Sequence, residues 1–370
     1  MNNFMTMPFG GNFSMAPAIY DPSKTDARVK KTLISQNISQ SKIGFYKMYP
    51  KFRPITCKFT SKYNPGIPSS ICETSVVHEH SIDVAEKYAE LGMNFTNKNK
   101  MNPVVLNVVG KDFTGTNFES NDEIRDEMIN LRTSFNNTVG TSSPFPVAET
   151  DCVYAQSVIT IRPKNPMMGF LAYPQTFRFA MITTSPIKCP KMLDDERMCS
   201  TDFVKTCSII ECVFQTAIAG FHPVLILSPF GHEDDENPVE DIIKIYNYCI
   251  YKYGHRFSNI IVAIPQFYPK EIFDKYNKGI VRLQDLTANV DSKYDQLEMQ
   301  KNLQKSGKKI LDDVKPSKSK KSKTDQSSNN SSNSSGAGVN PDMQNMMAMM
   351  QANPMMMMMM QNMMAQQMKN

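Results

Sequence analysis

The segment Pro103-Val-Val-Leu-Asn-Val-Val-Gly110 constrains the fold more than any other part of the chain. Val104, Val105, Leu106, Val108 and Val109 form an apolar run broken only by Asn107. A strand with one solvated face alternates apolar and polar residues. A run apolar on both faces is what a parallel strand needs when helices cover each side of its sheet. After Gly110 a loop carries Gly115, Thr116, Asn117 and Phe118, and helix-compatible sequence resumes from Ile124 to Phe135 with Asp126 and Glu127 adjacent. Strand, glycine-bearing loop and helix start make the layout of an anion site. Ligands of open α/β sheets bind beyond the carboxyl ends of the strands, where N–H groups of loops and helix starts converge.

The rest of the chain repeats this alternation. Apolar runs predict strands at 104–109, 157–162, 179–183, 223–228 and 259–264, with helices over 206–220 and 239–251. Strands that alternate with helices imply an α/β fold: a three-layer α/β/α core around one mixed central sheet. The expected organisation is a flexible arm at 1–45 that includes a short helix over 26–35, a core domain at 46–290, a charged helix at 291–314, and a disordered linker and tail at 315–370.

The order of strand, Gly-x-x-Phe loop, spacer, adjacent acids and then Arg132-Thr133-Ser134 before Phe135 resembles the signature of microbial-type poly(ADP-ribose) glycohydrolases, a branch of the macrodomain superfamily. That family has a triple-glycine loop followed by Phe, then Gln-Glu-Glu on a helix. The equivalents here are Gly115 to Phe118 and Arg125-Asp126-Glu127, so one glycine of three is kept and one glutamate is replaced by Asp. Segments 72–91, 151–162, 179–186 and 222–231 follow the family order. The resemblance implies a macrodomain-like fold and ADP-ribose or an ADP-ribosylated protein as ligand. It implies no cofactor. It casts Glu127 as the acid at the scissile ribosyl linkage, with Asp126 beside it. Ligand contacts would come from Asn107, Gly115, Thr116, Asn117 and Phe118, and from Ser228, Phe230, Gly231 and His232 on a second loop.

That second loop departs from the family. A pyrophosphate-binding loop is rich in glycine because backbone N–H groups must approach the ligand without Cβ atoms in the way. Residues 233–236 are instead Glu-Asp-Asp-Glu, and four carboxylates repel a diphosphate. The other reading is a solvated loop that caps the next helix near Asn237-Pro238, where negative charge suits a helix N-terminus. Asp126 is one methylene shorter than Glu, which moves its carboxylate by roughly 1.5 Å, and such a displacement costs rate. Three functions follow: a degenerate macrodomain that binds a nucleotide with weak or no turnover, an active ADP-ribosyl glycohydrolase using Glu127, or a structural, virion-associated protein.

Composition limits the partners. The net charge is +5, and residues 291–370 carry 11 Lys against 7 Asp plus Glu, a surplus of +4. The core is therefore near neutral, which argues against strong nucleic-acid binding by it. The Lys-rich stretch from Lys315 suits weak polyanion binding. Of 28 methionines, 14 lie between Met343 and Met368, a composition suited to an apolar groove on a protein partner. Interruption by Gln, Asn and Pro354 argues against a membrane span. Eight cysteines show neither CxxC nor zinc spacing, and the first residues lack a signal-peptide pattern, so a reducing cytoplasmic or nuclear compartment is expected. His78 and His80 are the one close histidine pair, as alternate residues of a strand, and with no third ligand in view no metal is expected. Asn- and Lys-rich usage with homopolymer runs suggests an AT-rich genome, such as that of a large DNA virus or a protist.

Overall fold

The computed structural model describes residues 20–42, 53–64, 72–89, 101–114, 127–139, 144–194, 197–232, 235–283 and 285. In chain order the elements are α1 (Ala27–Gln40), β1 (Ile55–Cys57), β2 (Glu73–Val77), α2 (Ser81–Tyr88), β3 (Pro103–Val108), α3 (Glu127–Arg132), α4 (Phe135–Val139), β4 (Cys152–Ile159) and β5 (Arg178–Thr184). There follow β6 (Met192–Asp194), β7 (Arg197–Met198), α5 (Ser200–Ala219), β8 (Val224–Leu227), α6 (Val239–Tyr253), β9 (Asn259–Ala263) and α7 (Lys270–Gly279). Seven strands form one sheet in the order β1-β4-β5-β3-β8-β9-β2, and β6 pairs with β7 as a separate ribbon. The strands β5, β3, β8, β9 and β2 are parallel, while β4 runs against β5 and β1 against β4. The mixed sheet between two helical layers is the architecture the sequence pattern implies.

Burial of β3 explains its composition. All six of its residues are buried. Val104, Leu106 and Val108 join a cluster with Ile210 and Phe214 of α5 and Ile242 of α6. Val105 and Val109 face the other way, onto Ile82 of α2 and Met128 and Ile129 of α3. Each fully buried Val or Leu side chain contributes about 1.5–3 kcal/mol, so this strand anchors both layers.

Three differences from the sequence reading have physical causes. The strand expected at 157–162 is β4, which begins at Cys152. A register shift between Ala155 and Val158 breaks its period of two and hides its first half. Within the expected N-terminal arm, α1 is longer than the short helix at 26–35 and is a layer of the core. Its Leu33 and Ile34 are buried, and Asn37 Nδ2 donates to the carbonyls of Asn130 and Leu131 at 3.1 and 2.9 Å. Those carbonyls end α3 and have no partner within their own helix, so Asn37 ties the two helices together. His78 and His80 do not share a strand, because β2 stops at Val77. His80 caps α2, its Nδ1 accepting from Ile82 N at 3.2 Å, and the His78 ring stacks on Phe273 at 4.7 Å.

Among the described residues no group of His, Cys, Asp or Glu is arranged to hold a metal ion. No described helix is long and apolar enough to cross a membrane. The expected charged helix at 291–314, the lysine-rich linker and the methionine-rich tail lie outside the described residues.

Candidate functional site

The parallel strands direct the ends of β3, β5 and β8 to one edge of the sheet. Gly115, Thr116, Asn117, Phe118 and Asp126 lie outside the described residues. Glu127 is the first residue of α3, and both of its carboxylate oxygens accept hydrogen bonds from Lys30 Nζ of α1, at 2.9 and 2.7 Å. The side chains are 37% and 19% exposed, and a pair this open to solvent is worth only about 1 kcal/mol or less.

Lys30 is held in place by the rest of α1. Lys30, Ile34 and Asn37 fall three and four residues apart, on one helix face. Behind Asn37 stands Arg162, a fully buried arginine just beyond β4. Its Nε donates to Asn37 Oδ1 at 2.6 Å, Nη2 to Gln36 Oε1 at 2.8 Å and Nη1 to the Pro166 carbonyl at 3.0 Å. Its guanidinium also lies 4.1 Å from the centre of the Phe170 ring. A groove of about 440 Å³ opens between α1 and this turn, lined by Arg28, Gln36, Met167 and Phe170 among others. None of the expected site residues that the structure describes lines it.

The Arg132-Thr133-Ser134 segment is a buried joint and not an exposed helix end. Arg132 Nη2 pairs with Asp83 Oδ1 at 2.9 Å. Thr133 Oγ1 donates to the Ile129 carbonyl at 2.6 Å, and Ser134 Oγ accepts from Ile159 N at 3.0 Å. The Ser134 bond fastens the junction of α3 and α4 to the end of β4, and the Arg132 pair ties it to α2.

The second loop folds back on the protein. Asn107 is 2% exposed, and its Nδ2 donates to Thr183 Oγ1 at 3.2 Å across the β3–β5 pair. Ser228 Oγ donates to the Leu106 carbonyl at 2.9 Å, and the Ser228 carbonyl accepts from Tyr246 Oη at 2.7 Å. Phe230 is wholly buried in the core beside α6. Gly231 has a φ of +67°, and a Cβ there would lie 2.6 Å from Asn237 Nδ2 and 2.9 Å from Pro186 Cβ. Here the missing Cβ makes room for Asn237, whose side-chain amide donates to the carbonyls of Ile187, Gly231 and Asp235. Asn237 thus clamps the loop, and it is Pro238 that caps α6, with no side-chain hydrogen bond. Of the two acidic residues of this run that the structure describes, Asp235 is 1% exposed and Glu236 is exposed to solvent.

His232 is pinned too. Its Nδ1 faces the Asn237 carbonyl at 3.4 Å, so Nδ1 carries the proton and Nε2 accepts from Tyr276 Oη at 2.7 Å. Part of the residue remains exposed, but its ring is enclosed by Tyr276 and the loop, and burial pushes its pKa down to about 4. The structure therefore brings Ser228, Gly231 and His232 together with Asn237 and Tyr276. Among the described residues no hydrogen bond or ion pair joins them to Glu127. Sequence reasoning missed Lys30 as the partner of Glu127, and Asn237 and Tyr276 as partners of the second loop. Only the Asn-Pro dipeptide carried a local signal.

Solved structures share the fold, two of which come from one organism. One is poly(ADP-ribose) glycohydrolase from Thermomonospora curvata, with a TM-score of 0.50 and 11% identity, covering 68% of this chain and 99% of that chain. The other is the glycohydrolase from the same organism bound to the inhibitor ADP-HPD, with a TM-score of 0.50, 13% identity and the same coverage, 68% and 99%. No family model matches the chain, and no curated protein matches it in sequence. At this identity the likeness establishes the class of fold: an α/β core of the kind seen in the poly(ADP-ribose) glycohydrolases. It speaks to neither the source of the chain nor its activity.

Proposed function

We propose that this chain is a divergent macrodomain-like protein that binds ADP-ribose or a related nucleotide at the carboxyl edge of its sheet and has weak or no glycohydrolase activity. The fold supports the ligand class, since one of the similar structures holds ADP-HPD. The second loop argues for a weakened hold on the diphosphate, and through poor positioning for little turnover. A pyrophosphate needs backbone N–H groups it can approach closely. Gly231 instead packs against Asn237 and Pro186, Phe230 fills the core, and His232 is tied to Tyr276. The Lys30–Glu127 pair adds a smaller obstacle, because both carboxylate oxygens are engaged. A factor of about five in rate, the equivalent of about 1 kcal/mol, is all that so exposed a pair can withhold.

Calorimetry with ADP-ribose, followed by release of ADP-ribose from modified protein, tests both halves. Binding without release is the expected result, and Glu127→Gln should keep affinity within a few-fold because it preserves shape. Absence of binding overturns the ligand, and turnover that Glu127→Gln abolishes overturns the loss of activity. Lys30→Ala separates the two obstacles: rate restored by that change alone would place the block in the ion pair and not in the loop.

A further inference from the structure

Three thiols meet beneath the edge strand β1. Cys57 and Cys152 stand directly opposite each other in the antiparallel β1–β4 pair. Cys152 Sγ lies 3.5 Å from Cys212 Sγ of α5 and 3.1 Å from Thr216 Oγ1. Cys212 Sγ in turn donates to the Cys57 carbonyl at 3.5 Å. All eight cysteines of the chain are in the thiol form.

The three differ in reach and in acidity. Cys152 and Cys212 are wholly buried, whereas Cys57 is half-buried on the outermost strand of the sheet. A hydrogen bond from Cys152, helped by one from Thr216, holds the Cys57 thiol below its ordinary pKa against the opposing effect of burial. Burial pushes Cys152 well up. Buried cysteines usually serve as small apolar side chains. Here a half-buried cysteine of an edge strand, held below its ordinary pKa by Cys152 and Thr216, stands opposite a second thiol across a strand pair, which is the microenvironment of an oxidisable cysteine.

We propose that Cys57 is a peroxide-sensitive thiol and Cys152 its resolving partner, so that oxidation ties β1 covalently to β4. In the first step the Cys57 thiolate attacks a hydroperoxide. An S–O bond forms, the O–O bond breaks, and water or an alcohol leaves with the proton that the thiol gave up. In the second step Cys152 attacks the sulfenic sulfur, an S–S bond forms and the S–O bond breaks. Water departs with the Cys152 proton. Two thiols are oxidised for each peroxide reduced. Directly opposed residues of antiparallel strands have Cα atoms about 4.5 or 5.5 Å apart, within the range of about 4.4–6.8 Å that a disulfide spans.

The test uses the full-length protein, treated with a modest molar excess of hydrogen peroxide, alkylated under denaturing conditions and digested without reduction for peptide mass spectrometry. A Cys57–Cys152 linked peptide is expected. Cys207 and Cys249, a second thiol pair but fully buried, should remain alkylated. In Cys152→Ala a dimedone adduct should accumulate at Cys57, and in Cys57→Ser protein Cys152 should stay reduced. Should Cys152→Ala misfold, the wild-type linkage map and Cys57→Ser still decide. The assignment fails if Cys57 stays reduced while the exposed Cys189 is oxidised, or if Cys152 links to Cys212 equally in wild type and Cys57→Ser.

Discussion

Acidification should destabilise this fold through His222, a residue that the chemistry at the edge of the sheet does not use. His222 enters β8 with its ring 2% exposed. Its Nδ1 faces the Asn102 carbonyl at 2.9 Å, which can only accept, so Nδ1 is protonated and Nε2 accepts from Tyr154 Oη at 2.9 Å. A Cβ on Gly220 would lie 2.6 Å from the His222 ring, so the imidazole packs directly against that glycine. Burial lowers its pKa from 6.5 to about 4, with the bond to Asn102 opposing. The folded-state value is depressed, so between pH 6.5 and about pH 4 the unfolded chain takes up a proton that the folded chain refuses. The contribution is complete above pH 6.5, and stability falls by about 1.4 kcal/mol per pH unit below it, about 2 kcal/mol by pH 5. The same slope applies to His232, which has the same depressed value. Urea unfolding of wild type and His222→Gln from pH 7.5 to 4.5 isolates the first term. The variant should be less stable at neutral pH by about 1–3 kcal/mol, because it leaves buried polar groups poorly paired. That gap should close as the pH falls. An imidazole that titrates above pH 6 by NMR, or a gap that stays constant with pH, would refute the reasoning.

Three further outcomes are expected. Gly231→Ala should cost at least about 2 kcal/mol, since it combines a left-handed φ with a Cβ driven into Asn237 and Pro186; an unchanged urea midpoint would contradict this. Arg162→Lys should cost about 2–4 kcal/mol, because a single ammonium cannot reproduce the fork that binds Gln36, Asn37 and Pro166. The same variant should loosen α1, read as faster amide exchange over 27–40. Truncation after Val314 should leave the melting temperature nearly unchanged while reducing self-association or capture of a protein partner, and a truncated protein that unfolds would defeat it.

What the sequence discloses follows from how far apart the determining contacts lie. β3 was legible because burial on both faces leaves its mark on consecutive residues, and the spacing of the other runs then implied the layers. β4 was half legible, since the irregularity between Ala155 and Val158 erases the alternation that marks a strand. The candidate site residues were least legible, because their partners lie where no window of sequence contains both. Lys30 meets Glu127 across 97 residues, and Tyr276 meets His232 across 44. The same distance explains why a preserved glycine misleads. Gly231 falls where the sequence pattern leads one to expect a phosphate loop, yet its open side is filled by Asn237 and Pro186. A glycine records only that something approaches closely, and whether that neighbour is a ligand or the protein itself is decided by residues elsewhere in the chain. In this chain the neighbour is the protein, since Asn237 and Pro186 occupy the side of Gly231 that its missing Cβ leaves open.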